Sequence, residues 1–175
     1  MSLVETCSKI ELILSDVDGV MTDGSIYVED SGQQIIKFHI RDGMGVRLWR
    51  EAGKRFGIVT GRKLESVKKR AADLWMDIVR LGIDDKLPEV DRLAAEFKIT
   101  REQICYIGDD LLDLAAIKAV GFGVTVADAP EDVRKAAKYT TSVRGGQGAA
   151  REVVELILKN TGRWDDVLKR YGGAA

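Results

Sequence analysis

Apolar residues fall into two rhythms along this chain. Short runs recur at Ile10 to Leu14, Phe56 to Val59, Ile78 to Leu81, Ile104 to Ile107 and Gly123 to Val126. Runs of this length, closed by Gly, Asp or Thr, suit strands buried on both faces. Between them the spacing turns helical. Leu64, Val67, Ala71 and Leu74 share one face, as do Val90, Leu93, Ala94 and Phe97, and Val153, Val154, Ile157 and Leu158 form a further stripe. Strands alternating with helices predict an α/β fold, a doubly wound parallel sheet covered on both sides.

Two segments break the rhythm. Residues 24–40 place two short β-patterned stretches around Asp30-Ser31-Gly32, which predicts a hairpin. An isolated hairpin is marginal in water, so this one is expected to pack on something, a second subunit included. Arg144-Gly145-Gly146-Gln147-Gly148 is a glycine-rich loop before the last long helix. Its glycines permit a close backbone approach to an anion. Trp164, Val167, Leu168 and Tyr171 mark an amphipathic tail over residues 163–175. Neither repeat nor linker interrupts the chain, so residues 1–175 are expected to form one domain.

Composition narrows the function. Hydrophobic residues make up 45% and charged residues 31%, with a net charge of -1. That balance gives no field for nucleic acid or an anionic membrane. A bound anion must be held by a few placed cations. Cys7 and Cys105 have no zinc-motif spacing and suit a reducing compartment. Cys105, Trp49 and Trp75 are expected in the core. His39 is the sole histidine, so chemistry needing several imidazoles is excluded. No run is long enough to span a bilayer and no basic-then-apolar leader opens the chain, so a cytoplasmic location is expected.

In an open parallel sheet, ligands bind beyond the carboxyl ends of the strands. The residues just after each run are therefore informative. Asp16-Val17-Asp18-Gly19 succeeds the first, Thr60-Gly61-Arg62 the second, Asp84-Asp85-Lys86 the third and Gly108-Asp109-Asp110, with Asp113, the fourth. A carboxylate-rich edge with one lysine can hold a hard cation and a phosphate together. Phosphate monoester hydrolysis uses every part. Asp16 attacks phosphorus once Mg²⁺ offsets the charge, and Asp18 protonates the leaving oxygen and later activates water. Thr60 and Lys86 hold the phosphoryl oxygens.

Asp16-Val17-Asp18-Gly19-Val20-Met21-Thr22-Asp23-Gly24, then Thr60, Lys86 and Gly108-Asp109-Asp110-x-x-Asp113, together resemble the four motifs of the haloacid dehalogenase superfamily. That resemblance implies a Rossmann-like core, Mg²⁺ held by Asp16, Asp18 and Asp109, and catalysis by Asp16, Asp18, Thr60 and Lys86. The short gaps between motifs leave no room for a cap domain. With the hairpin, Arg41-Asp42-Gly43-Met44-Gly45 and the glycine loop, the chain resembles the 3-deoxy-D-manno-octulosonate (KDO) 8-phosphate phosphatases, which are homotetramers. This implies substrate contacts at Asp18, His39, Ile40, Arg41, Asp42, Gly43, Arg47, Arg62, Arg70 and Lys86. The sugar acid carries a carboxylate, a reason for Arg62 and Arg70, read as eight apart on one helix. His39 and Asp85 stand where the family leads one to expect Asn. Arg62 stands where phosphatases of a related nine-carbon acid carry Glu, which favours the eight-carbon substrate.

Blander readings compete. Asp16 to Tyr27 lacks the fifth, sixth and twelfth residues of a calcium loop. Asp110 could cap a helix or join a metal site. A receiver domain also carries a phosphorylated Asp, but its order of acids, Thr and Lys differs. A non-catalytic tetrameric member would tolerate loss of Asp16 or Asp18, and both are present.

Overall fold

The computed structural model describes residues 2–173. Residues 174 and 175 of the expected tail lie outside the described residues. In chain order the elements are α1 (Leu3–Lys9), β1 (Leu12–Ser15), β2 (Tyr27–Val28), β3 (Gln34–Ile35), α2 (Ile40–Glu51), β4 (Arg55–Thr60), α3 (Glu65–Asp73), β5 (Ile78–Leu81) and α4 (Lys86–Phe97). Then come β6 (Ile104–Gly108), α5 (Leu114–Ala119), β7 (Phe122–Thr125), α6 (Glu131–Ala136), β8 (Tyr139–Thr140), α7 (Ala149–Asn160) and α8 (Trp164–Arg170).

Six strands form one parallel sheet in the order β5-β4-β1-β6-β7-β8. The five apolar runs read from the sequence are its five longer strands. The inner strands are buried on both faces, as their unbroken apolar sequence requires: Ile13, Leu14, Phe56, Val59, Ile104, Ile107 and Val124 have no exposed surface. The chain steps outward from β1 through β4 to β5, then crosses to β6 and steps outward the other way. Strand order thus reverses between β1 and β6, which opens a crevice at their carboxyl ends. Ser15 is level with Ile58 on one side and Ile107 on the other. Asp16 N–H donates to the Ile107 carbonyl at 2.8 Å, so the site loop leaves the sheet from a fixed point. Only the hairpin and α2 lie between β1 and β4, and only α3 between β4 and β5, so no cap domain is inserted there.

The hairpin is shorter than its sequence pattern. Its antiparallel ladder pairs Tyr27 with Ile35 and Val28 with Gln34, and the turn passes through Gly32 at φ +81°. Residues 36–39 leave the ladder, because Ile36 and Phe38 pack instead on Val17, Met21, Ile58, Val67 and Ala71. His39 then starts α2, its Nδ1 accepting the Arg41 N–H at 3.2 Å.

Helices α2 and α7 are joined with unusual closeness. Gly148 caps α7 without a side chain, so the orphan amide of Arg151 needs another acceptor. Asp42, from the first turn of α2, supplies Oδ1 at 3.1 Å. One turn on, a Cβ on Gly45 would lie 2.8 Å from the Arg151 Cα. Burial holds the Asp42 carboxyl up at about 6 although it accepts this bond.

One expectation is corrected. Trp75 is 72% exposed, because it takes a left-handed turn (φ 48°) after α3 that aims the ring outward. Trp49 and Cys105 are buried as expected, the Trp49 indole N–H donating to the Arg55 carbonyl at 2.8 Å. The polar N-terminal stretch is a helix, closed by a reciprocal capping box between Ser2 and Glu5, and it buries Cys7.

Gly45→Ala is expected to lower stability by about 1–3 kcal/mol, because the added methyl meets helix backbone rather than a yielding side chain. Urea unfolding checks this, and an unchanged midpoint and slope would count against the backbone contact.

Candidate active site

Three carboxylates converge at the switch crevice. Asp16, Asp109 and Asp113 each offer an oxygen, and these oxygens lie within 4.8 Å of one another. Asp16 directly follows β1 and Asp109 directly follows β6, the adjacent strand. Asp113 is 1% exposed and rigidly held. Its Oδ1 accepts the Tyr106 hydroxyl at 2.7 Å, and its Oδ2 accepts the amides of Asp109 at 3.0 Å and Asp110 at 3.3 Å. Glycines make the approach possible. A Cβ on Gly19 would lie 1.9 Å from Asp109 Oδ2, and one on Gly108 would lie 2.3 Å from the Asp113 Cβ.

One cation meets this group from within. Lys86 opens α4, is 2% exposed, and its Nζ reaches Asp16 Oδ1 at 3.1 Å and the Val59 carbonyl at 2.8 Å. The balance stays negative. Burial, with the charge of Asp113, pushes Asp16 up to about 6 against the pull of Lys86. Burial, then the charges of Asp16, Asp113 and Asp110, push Asp109 up to about 8. Three hard oxygen donors with excess negative charge suit Mg²⁺. Asp109, Asp16 and Asp113 are the residues that would hold it.

Asp18, expected among the ligands, turns its carboxylate elsewhere. Oδ1 pairs with an Arg62 amino group at 2.7 Å, and Oδ2 is buried with no partner among the described residues. The other Arg62 amino group contacts Gln34 Oε1 from the hairpin. Thr60 ends β4, is 1% exposed, and its Oγ1 accepts the Arg62 N–H at 3.3 Å. Arg62 does not share a helix with Arg70. α3 begins only at Glu65, because Gly82 N–H donates to the Arg62 carbonyl and Ile83 N–H to the Thr60 carbonyl, holding residues 60–62 against the next loop.

The other expected substrate contacts separate into groups. His39 and Asp42 cap helices, and Ile40 is 83% exposed. Arg41 is exposed and lies beside Gly148. Gly43 abuts Arg70, whose guanidinium stacks 5.8 Å from the Phe38 ring centre. Arg47 pairs with Glu51 at 2.8 Å, toward the far end of α2. Asp110 caps the single 3-10 turn at Leu111–Asp113, its Oδ1 accepting the Leu111 N–H at 2.7 Å. The glycine loop meets backbone rather than an open anion site: a Cβ on Gly145 would lie 1.7 Å from the Gly19 carbonyl oxygen, and Gly146 N–H donates to the Val20 carbonyl. Sequence pattern alone does not assign Asp113 as third carboxylate or Gln34 as partner of Arg62. The x-x-x spacing from Asp109 to Asp113, nearly one helical turn, is the available signal for the first.

The raised carboxyl pKa values set the direction of pH dependence. Above about pH 4 the folded protein keeps protons that the unfolded chain has released, on Asp16 up to about pH 6 and on Asp109 up to about pH 8. Metal-free protein is therefore expected to lose stability as pH rises through that window, by up to about 1.4 kcal/mol for each tenfold gain in proton affinity on folding. Mg²⁺ is expected to stabilise it more at about pH 8.5 than at about pH 5. Urea unfolding with and without Mg²⁺ checks this, and Asp109→Asn is expected to flatten the slope. A slope of the opposite sign would remove the proposed charge excess.

Comparison with known proteins agrees with this geometry. The haloacid dehalogenase-like hydrolase family matches residues 73–153. A 3-deoxy-D-manno-octulosonate 8-phosphate phosphatase of Yersinia pestis is 39% identical over 156 residues, covering 89% of this chain and 83% of its own length. The enzyme of the same name from Escherichia coli K12 is 37% identical, covering 94% of this chain and 87% of its own. Among solved structures, a probable phosphatase from Pseudomonas syringae superposes with TM-score 0.95 at 39% identity, covering 99% of this chain and 98% of that one. The Moraxella catarrhalis 3-deoxy-D-manno-octulosonate 8-phosphate phosphatase, solved with magnesium, phosphate and KDO, superposes with TM-score 0.94 at 36% identity, covering 97% of each chain. The chain belongs to the 3-deoxy-D-manno-octulosonate 8-phosphate phosphatase family of haloacid dehalogenase-like hydrolases.

Proposed function

We propose that this chain is a magnesium-dependent phosphatase converting KDO 8-phosphate to KDO and phosphate through an aspartyl phosphate. The observation that carries the proposal is the buried Lys86 ammonium on Asp16, beside Asp109 and Asp113 at the switch crevice. Lys86 occupies Asp16 Oδ1 and fixes the carboxylate's orientation. The carboxylate oxygen attacks phosphorus, the bond from phosphorus to the sugar oxygen breaks, and that oxygen takes a proton from Asp18. Water then attacks the acyl phosphate, Asp18 takes its proton, and Asp16 is regenerated with phosphate released. Bound Mg²⁺ supplies neutralisation of the carboxylates and of the phosphoryl oxygens. Thr60 and Lys86 offer donors to those oxygens, worth most where water is excluded. Arg62, and more remotely Arg70, supply positive charge for the sugar-acid carboxylate.

The proposal extends to a homo-oligomer, a tetramer by family resemblance, working in the cytoplasm. Ile26, Tyr27, Val28 and Ile35 on the hairpin are each about half exposed, which supports burial against another subunit. No helix among the described residues is long and apolar enough to cross a membrane.

Asp16→Asn is expected to lower phosphate release from KDO 8-phosphate by at least ~10³-fold with the fold retained. Phosphate release and circular dichroism check it together; full turnover would exclude Asp16 as nucleophile. Arg62→Glu is expected to shift the eight- over nine-carbon substrate ratio by about tenfold, ~1.4 kcal/mol. Competing-substrate kinetics read that ratio, and an unmoved value removes Arg62 from selectivity.

A further inference from the structure

The hairpin is tied to the catalytic loop by its side chains. Just after β3, Ile36 and Phe38 turn inward and pack beside Val17 and Met21. Gln34 is itself exposed, and its Oε1 accepts from an Arg62 amino group. The other amino group of the same guanidinium holds Asp18 Oδ1 at 2.7 Å. A second tie, Lys37 to Asp23 at 2.5 Å, fixes the hairpin base to the same loop. Asp18 Oδ2 is left buried with no partner among the described residues. The planar fork of Arg62 makes its two contacts geometrically dependent: moving one amino group moves the other.

We propose that Gln34 is a positioning residue for proton transfer, setting the plane of Arg62 so that Asp18 is held by Oδ1 and its Oδ2 is left unbonded for the proton it transfers. The inference rests on the reading of Asp18 as proton donor. Without Gln34 the guanidinium gains rotational freedom, and Asp18 loses its fixed plane. Misplacement of a catalytic group by about 1 Å can cost ~10²-fold in rate. The loss falls on substrates whose leaving group needs a proton. An alkyl phosphate needs it, whereas 4-nitrophenyl phosphate, with its stable phenolate, does not.

Gln34→Leu removes the acceptor at similar volume, and Gln34→Glu keeps an oxygen at the same reach. With Mg²⁺-loaded full-length protein, kcat/KM is measured on 4-nitrophenyl phosphate and on primary alkyl phosphates, KDO 8-phosphate among them. Gln34→Leu is expected to lower kcat/KM about tenfold on the alkyl substrates, and by less than about twofold on the aryl one. Gln34→Glu is expected to restore most of the loss, and Gln34→Leu to add nothing once Arg62→Gln is present. Equal losses on both substrate classes, or no loss on either, would overturn the proposal. Failure of wild type on KDO 8-phosphate alone would sink the substrate assignment and leave this comparison intact. As a readout free of substrate, the effects of Gln34→Leu and Arg62→Gln on thermal unfolding are expected to be non-additive; additivity would overturn the coupling.

Discussion

An unbalanced charge group governs this molecule. Asp16, Asp109 and Asp113 bring three oxygens into one corner, and a single buried ammonium answers them. Lys86 cannot remain buried and charged without Asp16 and the Val59 carbonyl, and Asp16 is aimed by Lys86 in return. Burial, and then the charges of Asp16, Asp113 and Asp110, drive Asp109 far above an ordinary carboxylate. A fold that tolerates this arrangement holds a stored preference for a dication. The same feature that makes the metal-free site costly makes the metal-bound site ready for a dianionic substrate.

The corner exists because backbone comes closer than side chains normally permit. Gly19 clears Asp109, Gly108 clears Asp113, and Gly145 rests on the Gly19 carbonyl. The last contact makes the glycine loop a buttress for the loop that follows Asp16. Asp42 and Gly45 extend the same logic outward by fastening α7 to α2. Rigid support from several elements of regular structure is what a site with tight geometric demands requires.

Much of this was legible in the sequence because it depends on local pattern. The five apolar runs became strands, and the polar residues after them came together, since strand ends in a parallel sheet share one edge. What was not legible depends on partners distant in sequence. Asp42 is expected from the family resemblance to touch substrate, and its carboxylate also caps a helix more than a hundred residues away, a role that exists only once α2 crosses α7. Arg62 reads as helical because the periodicity of α3 projects backward, but Leu64 is extended and ties to residues 82 and 83 hold the segment out of the helix. Trp75 follows a helical stripe and reads as core, yet a positive φ reverses its direction. The helix at Leu3–Lys9 did have a local signal, Ser2 with Glu5, in a stretch whose polarity concealed it.

The tail helix has a bearing on how molecules come and go. α8 is fastened by Arg170 to Glu51, the last residue of α2, while the catalytic corner lies toward the first residue. The chain's own tail helix is thus moored at the opposite rim and does not roof the crevice. Ligand traffic needs no swinging of this helix, so the microsecond-to-millisecond gating common in lidded enzymes has no counterpart in it.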